Sequence, residues 1–262
     1  MLFFGKAFWY MHILPRTLLA SLALVALQAQ AAVHDIDVGT QLPRFALLKP
    51  GTHHYLRYAK EGDAIRLVDI WARTLSFEDR DGRRLLRVRQ RWDGVTPKPY
   101  TLLLDSWAEP GSFRPVSHER VREMDGQRRV EGFVFSPAQV SGMQELADNV
   151  QKDLVVPSSE PTYNFETDIE FLQALPMAEG EEFRINFYHP GGKPLPQRYL
   201  WKVAGSESIA GPAGPVECWV ITTDYNQPGG KVTKFWFAKG SQVMVREESQ
   251  TPKGSFVKTL VD

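Results

Sequence analysis

Runs of alternating apolar and polar residues, cut short by turn residues, dominate this chain from residue 53 onward. Successive side chains of a strand point to opposite faces, so such runs predict half-buried strands. The 20 Gly and 18 Pro fall largely between the runs, where turns need left-handed or fixed backbone. Residues 53–59 predict a first strand and 63–77 a long second one. Asp79 to Gly82 is a hairpin turn, because Asp-Gly supplies the positive φ that tight hairpins demand. Residues 83–92, 100–107, 115–123 and 128–136 continue a meander, the last two joined by Asp125-Gly126. Residues 182–188, 198–203, 215–223, 231–239, 243–248 and 255–261 predict a second block, with turns at 226–230, 239–241 and 251–254.

The blocks are separated by a polar, irregular stretch at 137–160 and by one helix at 164–175. In the helix, Phe165, Ile169 and Leu172 lie four and three apart and share a face, with Phe171 and Leu175 beside it. Pro176 ends it. Glu166, Asp168 and Glu170 read as its solvated face, and Glu179, Glu181 and Glu182 as a charged turn. The fold class is mainly β: a curved antiparallel sheet or half-open β-barrel with one covering helix.

Large aromatic residues crowd the predicted strands. A curved sheet carrying them must cover its concave face with the helix, a second sheet or a ligand. A filled core is one answer and a lipid-sized cavity the other. Under the second, Trp71, Trp92, Phe133, Phe135, Phe187, Trp201, Phe235 and Phe237 line the concavity, and Phe165, Ile169 and Leu172 face it from a helical lid. Their contribution is apolar burial, on the order of 25 cal/mol per Å².

The N-terminus predicts export. Residues 17–27 are an uncharged apolar run behind Arg16, followed by Ala29-Gln30-Ala31, a small-residue cleavage site. The run is shorter than the roughly 20 residues a membrane-spanning helix needs. We place the cut after Ala31, which makes residues 32–262 a single β-rich periplasmic domain, not membrane-spanning after signal cleavage. Translation starts at Met1 or at Met11; both leave the same mature chain. No cysteine stands at the cut, so no lipid anchor is expected.

Charge and chemistry narrow the function classes. Lys+Arg and Asp+Glu balance at 31 each, which removes the electrostatic case for a nucleic-acid binder. The one cysteine, Cys218, excludes an internal disulfide and sits in a strand-like run as a buried thiol. His34, His53, His54, His118 and His189 show no metal-binding spacing, and His53 and His54 point to opposite faces of a strand. No G-x-S-x-G elbow or phosphate loop is present, so no catalytic residue, metal or cofactor is expected. Arg87, Arg89 and Arg91 share one strand face. Either acids across the ladder pair with them, Glu119 and Glu123 being the candidates, or the face reads a lipid headgroup or a negatively charged partner.

Residues 175–180 (LPMAEG), 183–188 (FRINFY), 199–207 (YLWKVAGSE), 218–221 (CWVI) and 234–238 (KFWFA) resemble an uncharacterised family of exported bacterial domains. Val203-Ala-Gly-Ser-Glu207 and Phe235-Trp-Phe-Ala238 match its V-x-G-x-E strand and its late tryptophan strand. The resemblance covers residues 165–262, and 55–150 in strand rhythm. It implies a half-open β-barrel like that of the periplasmic lipoprotein carriers LolA and LolB, with a helical lid, whose concave face takes acyl chains. It implies no catalytic residue. The expected function is therefore non-catalytic binding of an apolar or amphipathic ligand, a lipid or acyl chain, in the cell envelope. The alternative is an envelope protein–protein interaction module with a solid core.

Overall fold

The computed structural model describes residues 32–95, 98–227 and 232–262. The export signal with its cut after Ala31, and the turn residues 228–230, lie outside the described residues. After β1 (Val33–Ile36), a first meander runs through β2 (Gly51–Glu61), β3 (Ala64–Arg80), β4 (Arg83–Gly94), β5 (Tyr100–Ala108), β6 (Pro115–Met124) and β7 (Gln127–Phe135). Three short strands follow: β8 (Gln139–Gly142), β9 (Val155–Pro157) and β10 (Tyr163–Asn164). Helix α1 (Asp168–Gln173) leads to the second meander: β11 (Glu182–Tyr188), β12 (Gln197–Gly211), β13 (Gly214–Thr223), β14 (Thr233–Ala238), β15 (Met244–Thr251) and β16 (Gly254–Leu260).

The two meanders form one 16-stranded sheet, because β16 pairs antiparallel with β2 through Val257 opposite Tyr58 and its neighbours. β1 and β10 both run parallel to β11, every other pairing between these strands is antiparallel, and Val130 of β7 adds an isolated parallel bridge to Asn149. Both Asp-Gly turns form as the sequence demands: Asp81 and Gly82 have φ of 52° and 72°, Asp125 and Gly126 of 52° and 74°. Register shifts at Arg57/Tyr58, Trp107/Ala108, Val203/Gly205 and Trp236/Phe237 mark bulges, which bend and twist strands and so curve the sheet.

The helix is shorter than 164–175. Asn164 accepts a hydrogen bond from the Glu166 amide and caps a 3-10 turn, Phe165–Thr167, before α1. All six α1 residues are buried. Its apolar side chains pack with Trp71, Phe183, Ile185, Phe187, Trp201, Phe235 and Phe237 into the main core on the concave face of the sheet. The carboxylates Asp168 and Glu170 are not a solvated face. They are buried because Arg73, projecting inward from β3, meets them (Nε to Glu170 Oε1, 2.5 Å; Nη2 to Oε2, 2.5 Å). The helix therefore plugs the curved sheet and does not lie over it. No described helix is long and apolar enough to cross a membrane.

Candidate functional site

The eight residues expected to line a cavity do not share one. Trp71, Phe187, Trp201, Phe235 and Phe237 are packed core, with ring centroids of 5.5 Å between Trp201 and Phe235 and 6.3 Å between Phe187 and Trp201. Ile169 and Leu172 belong to that core as well, so they fill the concavity where a lid face was expected. The reason is reach: with all of α1 buried, its side chains interdigitate with the aromatic rings. Phe133 lies in a second cluster with Val140, Val156 and Tyr188, and Phe135 packs against it. Trp92 and Phe165 each reach a larger open hollow, and Phe135 borders a small one of about 160 Å³.

The first hollow, of about 550 Å³, lies on the concave face of the first meander. Cross-strand register builds it: Trp92 on β4 faces Leu102 on β5, Leu102 faces Arg122 on β6, and Arg122 faces Arg129 on β7. The adjoining row carries Arg120 opposite Glu131. Trp92 is fixed by an indole N–H bond to Gln90 Oε1 (3.1 Å), while the Gln90 amide donates to the Glu166 carbonyl (2.7 Å). The Arg57 guanidinium lies 4.4 Å from the Trp92 ring centroid. Tyr100 walls one side. A Cβ on Gly94 would meet its ring at 2.2 Å, so glycine is what lets the ring cross the strand there. Its hydroxyl donates to the buried Asp69 carboxylate (2.5 Å).

Three guanidiniums and one carboxylate line this hollow. Glu131 is saturated: Oε2 accepts from Arg120 Nε (2.7 Å), and Oε1 accepts from Arg129 Nη2 (3.1 Å) and Gln151 Nε2 (2.9 Å). Those bonds hold its carboxyl below the usual range against the opposing effect of burial.

The second hollow, of about 610 Å³, is lined by Phe165, His189 and Tyr225 and by Asp168, Glu247 and Lys258. Lys258 pairs with Glu247 at 2.5 Å. Burial pushes the Asp168 carboxyl up to about 7, Arg73 only partly offsetting it. Burial also takes His189, stacked on Phe165 at 3.6 Å, down to about 4.

The arginines singled out from sequence lie on the opposite, outward face. Arg87 pairs with Asp105 (2.5 Å) and Glu78 (2.8 Å), and Arg91 with Asp93 (2.8 Å). Glu119 and Glu123 are not their ion-pair partners, because β5 lies between β4 and β6, and Glu123 pairs with Arg128 instead. Arg89, Arg91, Leu103 and Val121 border a hollow of about 560 Å³ on that face. Cys218 is fully buried, and desolvation lifts its thiol to about 11. Among the described residues no group of three His, Cys, Asp or Glu could hold a metal. Ser106 Oγ and His118 Nδ1 are 2.9 Å apart, but both residues are sealed in the interior.

The concave-face arginines were missed for a definable reason. Alternation says which residues share a face, not which face is inside. On β6 it places Arg120 and Arg122 together, yet apolar Val121 is the outward residue.

A family model described as "Protein of unknown function (DUF3108)" matches residues 68–261. The fold is similar to that of a solved structure titled a beta-barrel-like protein of domain of unknown function DUF1849 from Brucella abortus. The TM-score is 0.55 at 10% identity, covering 82% of this chain and 97% of that one. No curated protein matches the sequence.

Proposed function

The chain belongs to the DUF3108 family, and we propose that it binds an amphipathic ligand, a lipid or acyl chain, on the concave face of its sheet, without catalysis, in the cell envelope. The observation that carries this reading is the first hollow: about 550 Å³, open, and walled by Trp92, Tyr100 and Leu102. That is the size of small-molecule sites, and its lining joins this apolar wall to a larger charged share, Arg120, Arg122, Arg129 and Glu131, which suits an amphipathic ligand and not a purely apolar one. The aromatic core supports the ligand indirectly by holding the sheet curved. The N-terminal apolar run with its small-residue site at residues 29–31 supports the envelope location.

The test is native mass spectrometry of the protein purified from an exporting host without detergent. A mass excess that extracts into organic solvent as lipid is the expected result. A bare mass, unchanged after incubation with fatty acids and phospholipids, overturns the reading. One observation favours an interaction module instead. Beside the outer hollow, Ile70 and Leu103 are exposed, next to Arg89, which makes no ion pair among the described residues. Retention of an envelope protein on this face, lost on Leu103→Asp, would favour that second reading.

A further inference from the structure

We propose that the first hollow is polarised, seating an oxyanion headgroup, carboxylate or phosphate, on Arg122 and Arg129 with its apolar tail along Leu102 and Trp92. This rests on the ligand-binding reading above and names the ligand class. Three observations converge on it.

The first is register. Arg122 and Arg129 sit directly opposite each other on adjacent strands. Like charges so placed repel, and because Glu131 answers Arg129 (3.1 Å) the uncompensated charge of the pair is Arg122. The second is the supply of carboxylates. Glu131 is already saturated by Arg120, Arg129 and Gln151. Glu166, 4.0 Å from Arg120, is pushed toward its neutral form by burial. Arg122 makes no ion pair among the described residues. Its guanidinium lies 5.7 Å from the Tyr100 ring centroid and 3.3 Å from Met124 Sδ. The third is the gradient of polarity along one row. From Arg129 through Arg122 to Leu102 and Trp92, the lining passes from cationic to apolar. A simple anion would use only one end of that row, and a neutral hydrocarbon only the other.

Guanidinium binds carboxylate and phosphate through two parallel hydrogen bonds, and such charge-assisted bonds are the strong ones. The Arg122 side chain is exposed and its contacts to the protein are the weak ones to Tyr100 and Met124, so its removal separates binding from folding.

The test is isothermal titration with decanoate, decyl phosphate, decan-1-ol and inorganic phosphate, on the wild type, Arg122→Gln and Arg129→Gln. Both amphiphilic anions are expected to bind about tenfold or more tighter than decan-1-ol, and Arg122→Gln to remove that preference while decan-1-ol binding stays. The tighter of the two anions identifies the headgroup. Equal binding of decan-1-ol and the anions overturns the polarised site, as does an anion preference that survives in both variants. Inorganic phosphate binding as tightly as decyl phosphate removes the tail from the proposal. Failure of all four probes is a different outcome: it overturns the ligand-binding reading itself.

Discussion

Replacing Arg73 with methionine asks whether α1 is a plug or a lid. Arg73 is 4% exposed, makes a two-pronged bond to Glu170, and donates to the Glu166 carbonyl at 2.9 Å. Its removal leaves the Glu170 carboxylate, 8% exposed, without its cation in the interior. Breaking a buried pair from one side costs roughly 3–5 kcal/mol. With a urea slope of about 3 kcal/mol per M, the unfolding midpoint should fall by roughly 1–1.7 M. Urea unfolding followed by tryptophan fluorescence and by far-ultraviolet circular dichroism reads this directly. The double variant Arg73→Met with Glu170→Leu should recover most of the loss, because apolar replacement of a whole buried pair is often neutral or better. A midpoint shift below about 0.3 M for Arg73→Met would refute the reasoning, since an opening lid would leave both groups in water at little cost.

Three further outcomes are expected. Burial holds His118 down to about 3, against about 6.5 in the unfolded chain, so the unfolded state alone takes up the proton between these values. Stability should therefore fall with pH from about 6.5 toward 3, and His118→Gln should flatten that fall in urea titrations across the window. Gly94→Ala would drive a Cβ into the Tyr100 ring, costing roughly 1–3 kcal/mol of stability and weakening ligand binding; an unchanged melting temperature and affinity would contradict this. Cys218 should react with a thiol reagent only after denaturation, given its full burial and its thiol lifted to about 11; fast labelling of the native protein would contradict this.

The strands of both meanders could be read from alternation and turn chemistry, and β11 falls on residues 182–188 as expected. The 198–203 strand was read short. Beyond Val203 the chain bulges at Gly205 (φ 141°) and runs on to Gly211 with mostly exposed, small or polar residues, so alternation fades while the ladder to β13 persists. β1, β8, β9 and β10 have two to four residues each and owe their form to a neighbour. β1, for instance, lies along β11 and is tied by Asp35 to Arg184 at 2.7 Å. The join of β16 to β2 brings together residues from opposite ends of the described chain, which no local pattern encodes. The helix was legible from its apolar phase. Its buried carboxylates were not, because the partner that makes their burial tolerable, Arg73, is 97 residues away from Glu170. The candidate site was legible only in Trp92 and Phe165. Its arginines sit where sequence leads one to expect core.

The central claim is that ligand occupies the hollow beside Trp92 while the aromatic core stays closed. Tryptophan quenching by a dibrominated fatty acid tests it most directly, because bromine quenches only rings it nearly touches. Wild type should be quenched, Trp92→Phe should lose the largest share of that quenching, and Trp201→Phe should keep it. Quenching that survives Trp92→Phe and disappears in Trp201→Phe would show that the core opens to the ligand and would contradict the account.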